Sequence, residues 1–327
     1  MNNYPTITGL GFAVPEDVWD NHRLEKLVDT TDDWIRSRTG IVTRHIASKK
    51  DSTASLGAEA ARNALHNAGL DPLEIDVIIV ATMTPEMLFP STACFIQKSI
   101  EAKNAAAFDI SAACTGFIYA LSIGSSMITS GAAENILIIG AETLSRIVDW
   151  EDRNTCVLFG DGAGAAVLSK NGKGGRIVDT IIRSDGSKAK LLYMPGGGSL
   201  HPASEDTVRD RMHYLKMSGK GLYKEATTSM ADGAVRILEK NGLDIGDMDL
   251  LVPHQANIRI ILSTAKKLDI SAEKVYVNIE KYGNTSAATI PIALSEACDE
   301  GKIVNGSNVV LVGFGSGMTW GASLLRY

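Results

Sequence analysis

Residues 58–80 read AEAARNALHNAGLDPLEIDVIIV and residues 231–253 read ADGAVRILEKNGLDIGDMDLLVP. The second stretch follows the first by 173 positions and aligns without a gap, pairing Ala58 with Ala231, Ala61 with Ala234, Leu65 with Leu238, Gly69 with Gly242, Leu70 with Leu243, Asp71 with Asp244 and Asp76 with Asp249. Seven identities in 23 positions mark a duplicated unit. In the first copy apolar residues recur at helical spacing from Ser55 to Leu70, Gly69 stops the helix, and Ile75 to Ala81 is rich in β-branched residues, as a buried strand requires. In the second, the spacing predicts a helix from Ser229 to Asn241, a stop at Gly242 and a strand over Asp249 to Val252.

Working outward, short apolar runs predict further strands at Ala105 to Ile110, Asn135 to Gly140, Ala163 to Leu168, Val275 to Val277 and Asn308 to Val312. Strands alternating with helices in both halves predict an α/β protein whose helices cover sheets on both faces. Each half closes on a glycine-rich turn, Phe159-Gly-Asp-Gly162 and Phe314-Gly-Ser-Gly317. The polar stretch Lys170-Asn-Gly-Lys-Gly-Gly175 is the expected seam, giving an N-terminal half of residues 1–171 and a C-terminal half of residues 172–327.

A chain of 327 residues, 45% hydrophobic, can bury a large core, which excludes disorder. Its 32 Lys and Arg against 38 Asp and Glu give a net charge of −6, so there is no global basic field to neutralise phosphates, and nucleic acid is not an expected partner. The opening MNNYPTITGLGFAVPEDVWD lacks the regions of a secretory signal, and the longest apolar runs, such as Val77 to Ala81, fall far short of the roughly 20 residues that span a bilayer. A cytoplasmic protein without a membrane segment is expected. Cys94, Cys114, Cys156 and Cys298 form no CxxC pair, so neither a disulfide framework nor a metal site is expected.

Cys114 lies in Phe108-Asp-Ile-Ser-Ala-Ala-Cys-Thr-Gly-Phe117, where a short strand gives way to small residues and then to a helical pattern. A thiol at a helix N-terminus is expected to have a lowered pKa, since the macrodipole and free N–H groups favour the thiolate. A buried, inert thiol fits the same position. His254 follows the strand ending at Pro253, and the carboxyl ends of strands are where open α/β sheets bind ligands. His22, His45, His66, His201 and His213 lie in polar or surface contexts. Asn284, in Lys281-Tyr-Gly-Asn-Thr-Ser-Ala-Ala288, fits a helix cap when taken alone. Together Cys, His and Asn are the residue types of covalent acyl chemistry through sulfur, which leaves both an acyltransferase and a cysteine hydrolase open. Gly9-Leu-Gly11 is followed by Val14 where a dinucleotide fingerprint needs glycine, and the later glycine strings lack the Lys-Ser/Thr of a phosphate loop. Tight turns are the expected role of these glycines.

Asp32-Asp-Trp-Ile-Arg-Ser-Arg-Thr-Gly-Ile41, Phe89-Pro-Ser-Thr92, Asp109 to Phe117, Asp152-Arg153, Phe159 to Ala166, Val252 to Asn257, Tyr282 to Ala288 and Gly313 to Gly321 occur in one order over essentially the whole chain. In these strings the chain resembles β-ketoacyl-acyl carrier protein synthase III, the initiating condensing enzyme of bacterial fatty-acid synthesis, within the thiolase superfamily. The resemblance implies a five-layered αβαβα thiolase-like fold of two duplicated halves, usually a homodimer. It implies a catalytic set of Cys114, His254 and Asn284, with the backbone N–H groups of Cys114 and Ser316 as oxyanion donors. The implied reaction is ping-pong: acyl transfer from acyl-CoA, expected to be acetyl-CoA, to Cys114, then decarboxylative condensation with malonyl-acyl carrier protein. A relative using a longer, branched or aroyl thioester in secondary metabolism is the alternative.

By the same resemblance Trp34, Arg38, Arg153 and Asn257 contact CoA, which is a substrate, and no tightly bound cofactor is implied. Phe89, reaching across a dimer interface, and Phe159 bound the acyl pocket. Arg259, Lys266 and Lys267, at i, i+7 and i+8, share a helix face suited to docking an acidic carrier protein. Four positions depart from the family pattern: Ser316, a change that a backbone donor tolerates although its side chain could crowd the pocket, and Lys220, Tyr223 and Asn154.

Overall fold

The computed structural model describes residues 3–327; Met1 and Asn2, which open the N-terminal half, lie outside the described residues. Nine strands make up the main ladder: β1 (Pro5–Ala13), β2 (Val77–Ala81), β3 (Ala106–Ile110), β4 (Asn135–Thr143), β5 (Asp161–Lys170), β6 (Gly175–Ser184), β7 (Leu250–Pro253), β8 (Asn308–Gly315) and β9 (Thr319–Arg326). Their order is β7-β8-β9-β6-β1-β5-β4-β2-β3. Only Thr6 with Arg176 and Ile7 with Gly175 join β1 to β6, so the ladder divides there into two sheets of one plan. In the first, β3, β2 and β4 are parallel and β5 and β1 follow antiparallel. In the second, β7 and β8 are parallel and β9 and β6 follow antiparallel.

The run at 275–277, expected as a strand, contributes a single parallel bridge from Val275 to Leu251. The reason lies in Gln255, whose amide donates to the Tyr276 carbonyl at 3.2 Å and accepts from the Asn278 N–H at 3.2 Å. A side chain occupies the rungs that a longer strand would use.

Helices α1 (Asp32–Thr39), α2 (Thr53–Ala68), α3 (Thr92–Ser99), α4 (Gly116–Ser130), α5 (Gly219–Lys240), α6 (Ile258–Leu268) and α7 (Thr289–Asp299) complete the framework. Side chains alternate across each strand, and both faces are apolar. Ile136 and Ile138 of β4 pack with Phe117 and Leu121 of α4, whereas Leu137 and Ile139 pack with α2 and α3. Likewise Val309 and Leu311 of β8 pack with Ile290 and Leu294 of α7, whereas Val310 and Val312 pack with α5 and α6. Helices α4 and α7 therefore form a middle layer between two sheets, and the fold is the five-layered αβαβα arrangement.

Two local expectations change. Helix α5 begins at Gly219 rather than Ser229, because Leu222 and Ala226 continue its buried face toward Met230, and Gly219 and Gly221 fall in its first turn, where they cost little. Gly9 and Gly11 lie within β1 rather than in turns. A Cβ on Gly9 would sit 2.3 Å from the Ala64 carbonyl oxygen, and one on Gly11 2.4 Å from the Ala64 nitrogen, so bare backbone lets α2 lie directly on the strand.

Candidate active site

After β3 the chain enters a 3-10 turn, Ala113–Thr115, and then α4, which puts Cys114 at a helix start in the middle layer. The end of β8 presses on it: a Cβ on Gly315 would come within 2.7 Å of the Cys114 nitrogen, so that position requires glycine. Cys114 is only 4% exposed. Burial pushes its thiol up to about 12, the nearby Glu142 carboxylate adds to the rise, and the Ser286 hydroxyl opposes it. The expectation of a lowered pKa is thus overturned, because loss of water outweighs the helix start. At rest the Cys114 side chain is a neutral thiol.

His254 leaves the end of β7 with its N–H donating to the Val312 carbonyl at 2.8 Å. Its Nδ1 lies 2.6 Å from Thr289 Oγ1. Complete burial, with no compensating charge, pulls the imidazole down to about 3, so the ring stays neutral around physiological pH. Asn284 is held by its backbone, its N–H donating to the Leu158 carbonyl at 2.9 Å and its carbonyl accepting from the Gly160 N–H at 3.2 Å. Its side-chain Oδ1 accepts the Ser286 N–H at 2.8 Å. Only the oxygen of the amide can accept, so the NH2 end is the one left to donate elsewhere.

Cys114, His254 and Asn284 line one cavity of about 420 Å³, within the range of about 300–1,000 Å³ usual for small-ligand sites. Phe159, Leu192, Met230 and Phe314 make its walls apolar, while Lys220, Tyr223, Asn257 and Arg259 add polar groups to its lining. Phe159 lines this cavity. Phe89, expected to act across a dimer interface, is 84% exposed, beside Leu88 at 83% and Met87 at 46%, and is not part of the lining within its own chain. Ser316 does not crowd the pocket, since its hydroxyl donates to the Leu192 carbonyl and the wall is formed by Gly315. Cys114 and Ser316 each lie near the start of a 3-10 turn, where N–H groups lack partners within the turn.

Trp34, on α1, and Arg153 meet directly, with the guanidinium 4.7 Å from the ring centroid. The two side chains cover each other, so a ring entering between them would have to displace Arg153, whose Nη1 donates to the Asp29 carbonyl at 2.6 Å. Arg38 engages Asn257 through its backbone carbonyl, which accepts from Asn257 Nδ2 at 3.0 Å. Asn257 Oδ1 accepts the Arg259 N–H at 2.8 Å and caps α6. Arg259, Lys266 and Lys267 are exposed on α6, and Lys220 is exposed at the start of α5. None of the four is in an ion pair among the described residues.

Three residues of the site were not singled out from sequence: Glu142, Ser286 and Thr289. Glu142 is fully buried on β4 and accepts from Thr84 Oγ1 at 2.6 Å, the Thr84 and Met83 N–H groups at 3.1 Å, and Thr82 Oγ1 at 3.2 Å. Burial pushes its carboxyl up to about 7. A lone acid prolonging an otherwise apolar strand was the available signal.

Residues 108–186 match the family described as 3-oxoacyl-acyl-carrier-protein (ACP) synthase III, and residues 238–327 match that family's C-terminal region. The chain is 50% identical to the beta-ketoacyl-acyl-carrier-protein synthase III of Clostridioides difficile, over all of this chain and 99% of that protein. Among solved structures, the 3-oxoacyl-acyl-carrier-protein synthase III of Aquifex aeolicus superposes with a TM-score of 0.91 at 50% identity, covering 99% of this chain and all of that one. A priming beta-ketosynthase from a polyketide biosynthetic pathway superposes with a TM-score of 0.91 at 34% identity, covering 99% and 97% of the two chains. Among the described residues no helix is long and apolar enough to cross a membrane.

Proposed function

The chain belongs to the 3-oxoacyl-acyl-carrier-protein synthase III family, the initiating condensing enzymes of fatty-acid synthesis, and we propose that Cys114, His254 and Asn284 carry out its chemistry. The observation that carries this reading is their meeting in one cavity from separate elements, a thiol beside an imidazole and an amide.

In the first half-reaction the Cys114 sulfur attacks the thioester carbonyl of acyl-CoA. A carbon–sulfur bond forms, the bond to CoA sulfur breaks, and the thiol proton ends on the departing CoA thiolate. Because the thiol is neutral at rest, losing that proton is part of the barrier. Malonyl-acyl carrier protein then loses CO2, and the electrons of the broken carbon–carbon bond pass into an enolate whose thioester oxygen takes hydrogen bonds from His254 and Asn284. The enolate carbon attacks the acyl-cysteine carbonyl, and collapse of the adduct expels the Cys114 thiolate, which takes up a proton from solvent to restore the resting thiol. Backbone N–H groups of Cys114 and Ser316 receive the oxyanion in both acyl transfers, each donor worth about 2.7–4 kcal/mol.

Trp34, Arg38, Arg153 and Asn257 serve acyl-CoA, a substrate rather than a bound cofactor. The carrier protein docks on Arg259, Lys266 and Lys267, joined by Lys220. The exposed Met87, Leu88 and Phe89 tip supports a homodimer in which Phe89 limits the partner's acyl pocket. Residues 1–171 supply the nucleophile and residues 172–327 the two donors. The second reading, a longer, branched or aroyl starter unit, is favoured by the apolar cavity and by the similarity to a priming ketosynthase.

Intact-mass measurement after mixing with a series of acyl-CoAs tests both. We expect one acyl adduct, lost in Cys114→Ala, with acetyl-CoA reacting fastest. An adduct that survives the substitution removes Cys114 from the chemistry, and preference for a large acyl group selects the second reading.

A further inference from the structure

We propose that the hydroxyls of Thr115 and Thr319 set the gap between the two oxyanion donors, which makes both threonines positioning residues for acyl transfer. The inference rests on the reading of the Cys114 and Ser316 backbone N–H groups as those donors. They come from different halves of the chain, and each lies in a short 3-10 turn, Ala113–Thr115 and Ser316–Met318. The turns touch: a Cβ on Gly315, the residue before Ser316, would lie 2.7 Å from the Cys114 nitrogen. Contact alone does not fix their register, and each donor has to sit about 2.7–3.1 Å from the place the oxyanion will occupy.

Thr115 is fully buried at the N-cap of α4, where a threonine hydroxyl ordinarily takes a helix N–H, yet it makes no such bond. Its Oγ1 lies instead 3.0 Å from Thr319 Oγ1 and 3.1 Å from the Thr319 carbonyl oxygen, 204 residues along the chain. Thr319 closes the Ser316 turn, and its own Oγ1 lies 3.1 Å from the carbonyl oxygens of both Ala112 and Ser316. A hydroxyl has one proton, so Thr319 divides it among these oxygens and Thr115 Oγ1. The link does not depend on that choice. Both contacts of the Thr115 hydroxyl are to Thr319, so every arrangement that satisfies the Thr115 proton joins the two turns by a hydrogen bond. Neither threonine is in the cavity lining. Acylation and condensation each pass through an oxyanion on the same two N–H groups, so this pair affects both half-reactions alike, unlike His254 and Asn284, whose proposed role is in condensation.

Thr319→Val and Thr115→Val each remove a hydroxyl and keep the branch, and Thr319→Ser keeps the hydroxyl. Single-turnover rates are measured for acylation of Cys114 by acetyl-CoA and for consumption of preformed acyl-protein by malonyl-acyl carrier protein. We expect each valine variant to slow both half-reactions by about 10–100-fold, the scale of a misplacement of about 1 Å. The two factors should agree within about threefold, and the acetyl-CoA concentration giving half the maximal rate should stay within about twofold of the parent. The double variant should be no more than about threefold slower than the slower single one, because the two hydroxyls act as one pair. Thr319→Ser should return both rates to within about threefold of the parent. Loss confined to one half-reaction, multiplied effects in the double variant, valine variants without effect, or failure of serine to rescue overturns the proposal. An ester in place of the peptide bond before Ser316, which removes that N–H, keeps the two levels apart. If it spares both half-reactions, the donor reading itself fails; if it slows both and Thr319→Val slows neither, only the role of the threonine pair fails.

Discussion

The 173-residue offset read from the paired segments also relates the starts of the two middle-layer helices, and the chemistry there is complementary. Ala113, with φ of 48°, corresponds to Ser286, with φ of 51°, and Gly116 at the head of α4 corresponds to Thr289 at the head of α7. Cys114 then corresponds to Ala287, His254 to Ala81 and Glu142 to Gly315. At each pair one half carries the functional side chain and the other a residue small enough to make room. The contact of helix start with strand end shows this most plainly. In the first half a Cβ on Gly116 would lie 2.8 Å from the Ala81 Cβ, whereas in the second the same place holds the 2.6 Å contact of Thr289 with His254. The two frameworks face each other, one carrying the Cys114 thiol and the other the His254 imidazole and the Asn284 amide, which we propose as nucleophile and donors.

That division can be broken at its centre, where the largest effect is expected. His254→Ala and Asn284→Ala should each slow condensation by about 10²–10³-fold, the scale of one lost oxyanion donor, while acylation of Cys114 falls by less than about tenfold. Cys114→Ala should abolish both. Single-turnover rates for each half-reaction check this, and acylation falling in step with condensation in the donor variants would erase the separation of roles between the halves.

The sequence was informative about the division because it is written in side chains that stand out: one thiol after a strand, one histidine at a strand end, one asparagine in a turn. The repeat was legible because helix, glycine stop and buried strand keep both spacing and letters. Where the reading went astray, a property of the folded state decided. The thiol pKa depends on how much water the closed cavity admits, which no local pattern at residues 108–117 encodes. The strand at 275–277 is shortened by a side chain, Gln255, that takes over its hydrogen bonds. The glycines of β1 resemble turn formers in sequence and are instead sites of close helix approach. Thr289 and Ser286 look like ordinary small polar residues, and only their contacts give them roles.

The pairing of Glu142 with Gly315 sets the next expected effect. Burial raises the Glu142 carboxyl from 4.5 to about 7, so the folded protein favours the neutral acid. Its stabilising contribution is complete below about pH 4.5 and is lost as pH rises through about 7, a swing of up to about 3 kcal/mol at roughly 1.4 kcal/mol per unit. Glu142→Gln cannot ionise and should lack this swing. Melting of both proteins from pH 5 to 8 should show the variant gaining on the parent as pH rises. A parent that gains on the variant over that range would mean the carboxylate, not the acid, is the form this half was built to hold.

The outermost contrast lies between α3 and α6, the helices on the outer faces of the two sheets. Helix α3 carries one basic residue, Lys98, whereas α6 carries Arg259, Lys266 and Lys267, none of them in an ion pair among the described residues. In a protein of net charge −6 an acidic carrier is repelled overall, so attraction has to be local. Lys266 and Lys267 lie outside the cavity lining, which lets docking be varied apart from chemistry. Replacing both with Glu should raise the carrier KM by about three- to tenfold at low salt and leave the KM for acyl-CoA within about twofold. Exposed charges are screened beyond a Debye length of roughly 10 Å at 0.1 M salt, so the gap between variant and parent should narrow as salt rises. A carrier KM unmoved at low salt, with Lys98→Glu on α3 equally silent, would make the two outer helices equivalent and confine the difference between the halves to the cavity.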